Sequence, residues 1–449
     1  MASREQWNSK AGFLMAAVGS AVGLGNMWRF SYLTAEGGGA AFVALYLVFT
    51  LMVGLPVMLA ELTVGRGSGK SPIQALAHYA NGVTGGVAWK LLGVVFVAAG
   101  FLILAYYGVI AGWTVRYAGE ALMGFGADPA AHFGEISQGI DAFLFHVVFM
   151  AVTVWIVRSG VTTGIERVSL FAMPLLFVLV IGIAVYASTL DGVGPGYAYY
   201  LNADFANALS TKVAVDAAGQ AFFSLSLGMG AMLTYASYLG RDHDLPAESA
   251  IIATADFGVA FLAGLMVFPL IFALGLQSDV LGLESDGSTI GALFVALPKA
   301  FAGMGDAGRV VGFLFFLALV VGALTSAISL LEVVVSAAID GLGWERSRAA
   351  IVMGAAITLL GAAAASSTDV LGVMDGVANN LFLVGGGLGL AIFVGWLMKD
   401  PIAEARTGDR QGWLTGWLFL LRFVVPAVLL WVLWNSVPAT LDSIAGLFR

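Results

Sequence analysis

No cysteine occurs among the 449 residues, so disulfides and thiolate chemistry are excluded and the redox compartment is not readable. Charge is scarce. Asp, Glu, Lys and Arg make up 11% of the chain, against about 25% in a soluble globular domain. The four histidines, His78, His132, His146 and His243, are scattered without a ligand-spaced pair, which favours loop and helix-end roles over metal ligation. There is no basic stripe of the kind that binds nucleic acid, and a net charge of −8 is too weak to name a partner. No nucleophile–base pair, metal cluster or nucleotide loop stands out. The runs Gly37-Gly38-Gly39 and Gly385-Gly386-Gly387 lack the strand and the lysine that a phosphate loop requires. These absences argue against an enzyme.

What is abundant is apolar side chain, at 60% of residues. A water-soluble fold could not bury that fraction, so lipid is the solvent. A spanning helix needs about 20 mostly apolar residues. Segments of that kind lie near 11–33, 40–65, 88–121, 142–157, 166–189, 214–239, 248–276, 308–339, 349–365, 370–397 and 413–436, with a shorter helix near 289–303 in a connecting loop. The expectation is an all-α integral membrane protein with about eleven transmembrane helices. No composition shift marks off a soluble domain, so residues 1–449 read as one domain. The first segment contains Arg29 and lacks a cleavage site, so it reads as a helix and not a signal peptide. No N-x-S/T sequon is present, which fits a prokaryotic cell membrane without requiring one.

Lysine and arginine set the orientation. One set of flanks holds Arg4, Lys10, Arg66, Lys70, Lys90, Arg158, Arg167, Arg241, Arg346, Arg348, Lys399, Arg406 and Arg410. The opposite flanks hold Lys212, Lys299, Arg309 and Arg449 among Asp128, Asp191, Asp204, Asp279, Glu284 and Asp286. The first set is expected to be cytoplasmic. The N-terminus is then inside, and an odd number of spans places the C-terminus outside.

Two spans carry internal interruptions. The first reads Gly19-Ser20-Ala21-Val22-Gly23-Leu24-Gly25-Asn26, and the sixth reads Phe223-Ser224-Leu225-Ser226-Leu227-Gly228-Met229-Gly230. Glycine costs about 1 kcal/mol against alanine inside a helix, so close glycines weaken it locally. In one segment alone, close helix packing through small residues is the better explanation. Two such segments five spans apart, each with hydroxyl or amide side chains beside the glycines, favour a binding site between inverted repeats. Unwound backbone offers carbonyls to a cation, and half-helix N-termini offer N–H groups to an anion. Such backbone is tolerated in a membrane only where it lines a polar cavity.

At these residues the chain resembles the neurotransmitter:sodium symporter family. Glu5-Gln6-Trp7, Gly19 through Phe30 and Glu36 through Phe42 follow the family's first-helix signature. Tyr106-Tyr107, Gln220 to Gly230, Tyr235 to Tyr238 and Leu324-Thr325-Ser326 match as well. The resemblance implies a LeuT-type fold with inverted five-helix repeats and broken first and sixth helices, as in the short bacterial branch of the family. The repeats would cover about 10–190 and 212–397, with an extra helix at about 413–436. It also implies two sodium sites. The first would use the Ala21 carbonyl, Asn26, Ser224, Asp256 and the substrate carboxylate. The second would use the carbonyls of Gly19, Val22 and Gly322 with the hydroxyls of Thr325 and Ser326. Taken alone, those two hydroxyls are as well explained by bonds to the preceding helical turn. The substrate's ammonium would meet carbonyls of Ala21, Phe223 and Ser226. Its carboxylate would meet the Leu24 and Gly25 backbone and the Tyr107 hydroxyl. Ile103, Phe223, Met229, Ser326 and Leu330 would surround its side chain. No charge maps to that pocket, and methionine adapts to several shapes. A hydrophobic L-amino acid, aromatic ones included, is therefore expected.

Asp256 departs from the family's usual asparagine. The family's chloride-site set maps to Tyr46, Gln220 and Ser224, and Ala260 stands where a chloride-independent relative has glutamate. An ionised carboxylate in mid-membrane is expensive unless paired. Asp256 is expected to serve both as ligand and in place of chloride, the alternative being a protonated or solvated aspartate. For the gates, the resemblance pairs Arg29 with Asp375 outside, above Phe223 and Tyr107, and Arg4 with Asp340 inside, near Trp7 and Tyr238. Glu61 would hold the first-helix break. Glu332, usually neutral in the family, would titrate and couple a proton or, preferably, face water in the inner pathway. The expected function is sodium-coupled, chloride-independent symport of a hydrophobic amino acid into the cell by alternating access. A proton-driven transporter of the same fold and a transporter-like amino acid sensor are the alternatives.

Overall fold

The structure is a computed structural model that describes residues 5–80, 83–126, 128–202, 210–276, 292–406 and 412–447. Arg4 lies outside the described residues, as do Asp204, Asp279, Glu284, Asp286, Arg410 and Arg449, which entered the orientation argument.

Long apolar runs become long helices because every backbone polar group in lipid must be satisfied within its own segment. Among the described residues nine helices are long and apolar enough to cross a bilayer. They are Ala40–Ser68, Ala88–Ala121, Gly139–Arg158, Val161–Ser188, Leu245–Ala273, Asp306–Leu342, Arg346–Ser366, Thr368–Leu397 and Trp413–Gly446. In chain order these are spans 2, 3, 4, 5, 7, 8, 9, 10 and 11. Span 1 is a bent pair, Lys10–Ala21 and Gly25–Glu36, turned by 46° at the break. Span 6 is Thr211–Ser224 and Ala231–Ala236, separated by six residues of turns. The expected loop helix is present as Ala292–Gly303.

Local chemistry sets the ends. Ser9 caps span 1 by accepting from the Gly12 amide, and Asp244 caps span 7 by accepting from Ala247, with Pro246 in the first turn where its missing N–H is harmless. Spans 2 and 8 stop at Gly69 and Gly343, both left-handed.

Spans 3, 4, 8 and 9 pack on one another as one group. The first half of span 1 packs on spans 5, 7 and 8, and the second half of span 6 on spans 2 and 8. The two broken helices thus lie between that group and the remaining spans. Span 8 is the central element, 72% buried over its most apolar window, whereas span 11 is 28% buried and lies at the edge. Trp155, Phe171, Val178 and Trp434 point outward, as expected where the surroundings are acyl chains.

Candidate functional site

Both interruptions meet span 8 and span 3 around one cavity. Span 1 leaves helical geometry at Val22, whose backbone is extended. A helix end leaves its last carbonyls without N–H partners, so this break exposes acceptors in the protein interior. Gly23 is required by proximity: a Cβ there would lie 2.3 Å from Ser326 Oγ and 2.8 Å from Tyr107 Oη. In span 6 the chain turns through Ser226 at φ 54°, Gly228 at 75° and Gly230 at 74°. Gly228 is doubly constrained, because a Cβ would also meet the Leu383 carbonyl oxygen at 2.1 Å.

The cavity is small in this conformation, about 20 Å³, and is lined by Ser20, Ala21, Gly23, Gly25, Ile103, Tyr107, Phe223, Ser226, Met229, Ser326 and Leu330. Nine of the ten expected substrate residues are on that wall. The tenth, Leu24, adjoins it, and its amide donates to Tyr107 Oη at 3.2 Å. Ser20 and Gly23 were not anticipated as lining residues, although both sit inside the glycine-interrupted run. The Ser226 hydroxyl donates to the Ser20 carbonyl at 2.7 Å and ties the two breaks together. No charged side chain lines the cavity.

Beside the cavity lies a fully buried carboxylate. Asp256 accepts from Asn26 Nδ2 at 2.7 Å, from Ser224 Oγ at 2.8 and 3.0 Å to its two oxygens, and from Tyr46 Oη at 2.9 Å. Gln220 Nε2 donates to the Gly25 carbonyl at 2.8 Å, and its buried side-chain oxygen has no protein partner. Spans 1, 2, 6 and 7 each supply a group to this cluster, and the donors are oxygen-rich, the chemistry a hard cation takes. On the other side of the break, Ser326 Oγ donates to the carbonyls of Gly19 (3.3 Å) and Ser20 (3.2 Å), whereas Thr325 Oγ1 donates back to Gly322 (3.0 Å) and Val321 (3.3 Å) in its own helix. Thr325 still faces the break, since a Cβ on Gly19 would lie 3.0 Å from its Cβ. Gly322 packs against Gly23, and Val22 is buried beside them.

The gates are organised differently from expectation. Arg29 makes no ion pair with Asp375 in this conformation. Its guanidinium lies over the Phe223 ring, 4.8 Å from the centroid, as a cation–π contact, while Asp375 accepts from Asn379 Nδ2 at 2.6 Å. Both charges remain near the Tyr106 hydroxyl. At the other end Trp7 is buried and donates from Nε1 to the Tyr235 carbonyl at 2.9 Å, with its ring edge-on to Tyr235 and Tyr238. Asp340 accepts from the Ser71 amide at 2.7 Å. Its expected partner Arg4 is among the residues not described.

Two further expectations need correction. Glu61 holds the break of span 6, not that of span 1. Its oxygens accept from the amides of Gly228 at 2.8 Å and Leu233 at 3.2 Å. The short half-helix starting at Ala231 has unpaired first-turn N–H groups, and span 2 packs directly on it. Glu332 does not face water. It is fully buried, and Arg346 grips it with Nη1 at 2.7 Å and Nη2 at 2.9 Å, while the Tyr238 hydroxyl donates to the same carboxylate. Arg346 also reaches Glu5 at 3.1 Å, and Glu5 accepts from the Val161 amide at 2.7 Å. The sequence signal for this network was a lone glutamate in an apolar span and an arginine at the start of the next. It was missed because the arginine was counted as a topological charge.

An all-helical membrane bundle with two interrupted helices around an oxygen-lined cavity is a LeuT-type secondary transporter, not an enzyme. The chain belongs to the Sodium:neurotransmitter symporter family, whose sequence profile matches residues 4–125 and 128–443, and it is a sodium-dependent transporter of that family. It is 35% identical to the sodium-dependent transporter YhdH of Bacillus subtilis over 96% of this chain and 97% of that one. It is 30% identical to a sodium-dependent transporter of Haemophilus influenzae, over 95% of this chain and 97% of that one. Among solved structures it resembles MhsT in complex with L-phenylalanine, with 41% identity and a TM-score of 0.87 over 97% of this chain and 100% of that chain.

Proposed function

We propose that the protein carries hydrophobic L-amino acids, aromatic ones included, into the cell by alternating access, coupled to two sodium ions and without chloride. The zwitterion would lie between the breaks, its carboxylate toward Tyr107, Leu24 and Gly25, its ammonium toward carbonyls of Ala21, Phe223 and Ser226. Its side chain would occupy the space between Ile103, Phe223, Met229, Ser326 and Leu330. One sodium would take Ala21, Asn26, Ser224 and Asp256. The other would take Gly19, Val22, Gly322, Thr325 and Ser326. Arg29 and Asp375 would close the outer path, and Arg4, Asp340, Trp7 and Tyr238 the inner one. The N-terminus would be cytoplasmic and the C-terminus extracellular, with inverted repeats at about 10–190 and 212–397 in one domain.

The observation that carries the reading is the buried Asp256 carboxylate, held by Asn26, Ser224 and Tyr46 beside a cavity free of charged side chains. An anion there matches a bound cation and leaves no electrostatic vacancy for chloride. The phenylalanine bound in the related MhsT structure supports the substrate class. Radiolabelled uptake into proteoliposomes, with sodium and chloride varied independently, tests it. Leucine, phenylalanine and tryptophan should compete, arginine and glutamate should not, and replacing chloride by gluconate should leave uptake unchanged. Uptake that needs no sodium, or stronger competition by arginine than by leucine, overturns it.

A further inference from the structure

Arg422 is a basic residue of the lipid-edge span that the transport reading leaves without a role. It sits in span 11 on an exposed face. Its Nε donates to the Gly395 carbonyl at 2.6 Å, and Trp396 Nε1 donates back to the Arg422 carbonyl at 3.4 Å. Span 10 ends at Leu397, and the last carbonyls of a helix lack intrahelical partners, so one guanidinium nitrogen repairs a helix end. Gly395 permits the approach, because a Cβ there would already lie 3.2 Å from Arg422 Cγ. The guanidinium carbon lies 5.6 Å from the Trp396 ring centroid.

These contacts fix the depth of Arg422. It is level with the last turn of span 10, just before Lys399 and Asp400. The neighbouring side chains are aromatic and outward-facing: Trp396 (56% exposed), Phe423 against it and Phe419 against Phe423. Tryptophan at a span end marks the headgroup level of a bilayer. Among the described residues no carboxylate lies within ion-pair distance of Arg422. Glu404 on the adjoining loop is taken by Arg241, and Asp400 caps the Ala403 amide. Among the described residues the two terminal nitrogens thus have only the Trp396 ring near them and no carboxylate, on the side where Lys399 adds positive charge.

A guanidinium fork matches two phosphate oxygens, and basic side chains on the arginine-rich face of a membrane attract anionic headgroups. We infer that Arg422 and Trp396 form a binding site for the headgroup phosphate of an anionic phospholipid at the groove between spans 10 and 11. Trp396 packs on the glycerol region, and Gly395 keeps the arginine in the groove. The inference is independent of substrate, sodium and chloride.

The test is native mass spectrometry of the full chain equilibrated with equal amounts of phosphatidylglycerol and phosphatidylcholine. The wild type should retain phosphatidylglycerol about tenfold better, the scale of one charge-assisted bond. Arg422→Gln should bring the ratio close to one, and Arg422→Lys, a point charge without the fork, should fall between. Thermal unfolding in phosphatidylcholine nanodiscs checks that Arg422→Gln folds. Absence of any preference in the wild type overturns the site without reference to a variant. A preference that survives in folded Arg422→Gln overturns it as well.

Discussion

Asp256→Asn removes one negative charge and keeps the side chain's shape. Each carboxylate oxygen in the structure accepts from a neutral donor: Asn26 and Ser224 on one, Tyr46 and Ser224 on the other. A sodium ion held by Asn26, Ser224 and Asp256 would have the carboxylate's charge no farther than about 5 Å away. At that separation, with an effective dielectric of about 20, a unit-charge attraction is about 3 kcal/mol, or roughly 100-fold in affinity. The variant should need roughly 100-fold more sodium for half-maximal uptake when gluconate replaces chloride. Chloride should restore much of the loss, because the Tyr46 and Ser224 hydroxyls already meet the vacated charge. Sodium titrations of phenylalanine uptake into proteoliposomes, with and without chloride, give the number. An unchanged sodium dependence in chloride-free buffer would falsify the role of Asp256 as the resident counter-charge. A wild type that stops transporting in gluconate refutes the argument from the other side.

Four further outcomes are expected. Tyr107→Phe removes the hydroxyl facing the Leu24 amide and the cavity; a hydrogen bond to a charged group contributes about 1.5–3 kcal/mol, so the amino acid should bind 10- to 100-fold more weakly in an equilibrium binding assay. Arg346→Ala strands the buried Glu332 and should destabilise the protein by about 3–5 kcal/mol in a thermal unfolding assay. Pairing it with Glu332→Met should recover most of that loss while changing accessibility of the inner pathway to thiol reagents, read from an introduced cysteine. Glu61→Ala leaves the Gly228 and Leu233 amides unpaired and should cost about 1–3 kcal/mol per amide, with uptake falling more than surface exchange kinetics of distant spans. Gly228→Ala meets the Leu383 carbonyl at 2.1 Å and should abolish uptake, whereas Gly219→Ala, with open space around it, should leave uptake and melting temperature unchanged.

Much of this protein is legible in one dimension because the bilayer is a strict solvent. It demands apolar runs of fixed length, so the spans, the loop helix near residue 300 and the two interruptions can be read directly, with ends displaced by a few residues. Glycines in mid-span, at positions five spans apart, mark the breaks for two reasons: Gly228 and Gly230 take φ near 75°, which no other residue adopts so cheaply, and Gly23 leaves room for Ser326 and Tyr107 where a Cβ would clash. The family resemblance carried by those breaks, more than side-chain polarity, implied nearly the whole cavity wall. Partner choice was not legible. Glu61 could serve either break, and only the packing of span 2 against the second half of span 6 assigns it. Glu332 looked solvated because sequence shows a charge and not its neighbour fourteen residues on. The crossing of spans 8 and 9 brings Arg346 onto it. Arg29 and Asp375 carry opposite signs, yet Phe223 and Asn379 are their partners here. Periodicity and hydropathy are properties of single segments, so sequence settles which segments enter the membrane and where they break. An ion pair is a relation between segments, and the helix packing alone decides which charges meet.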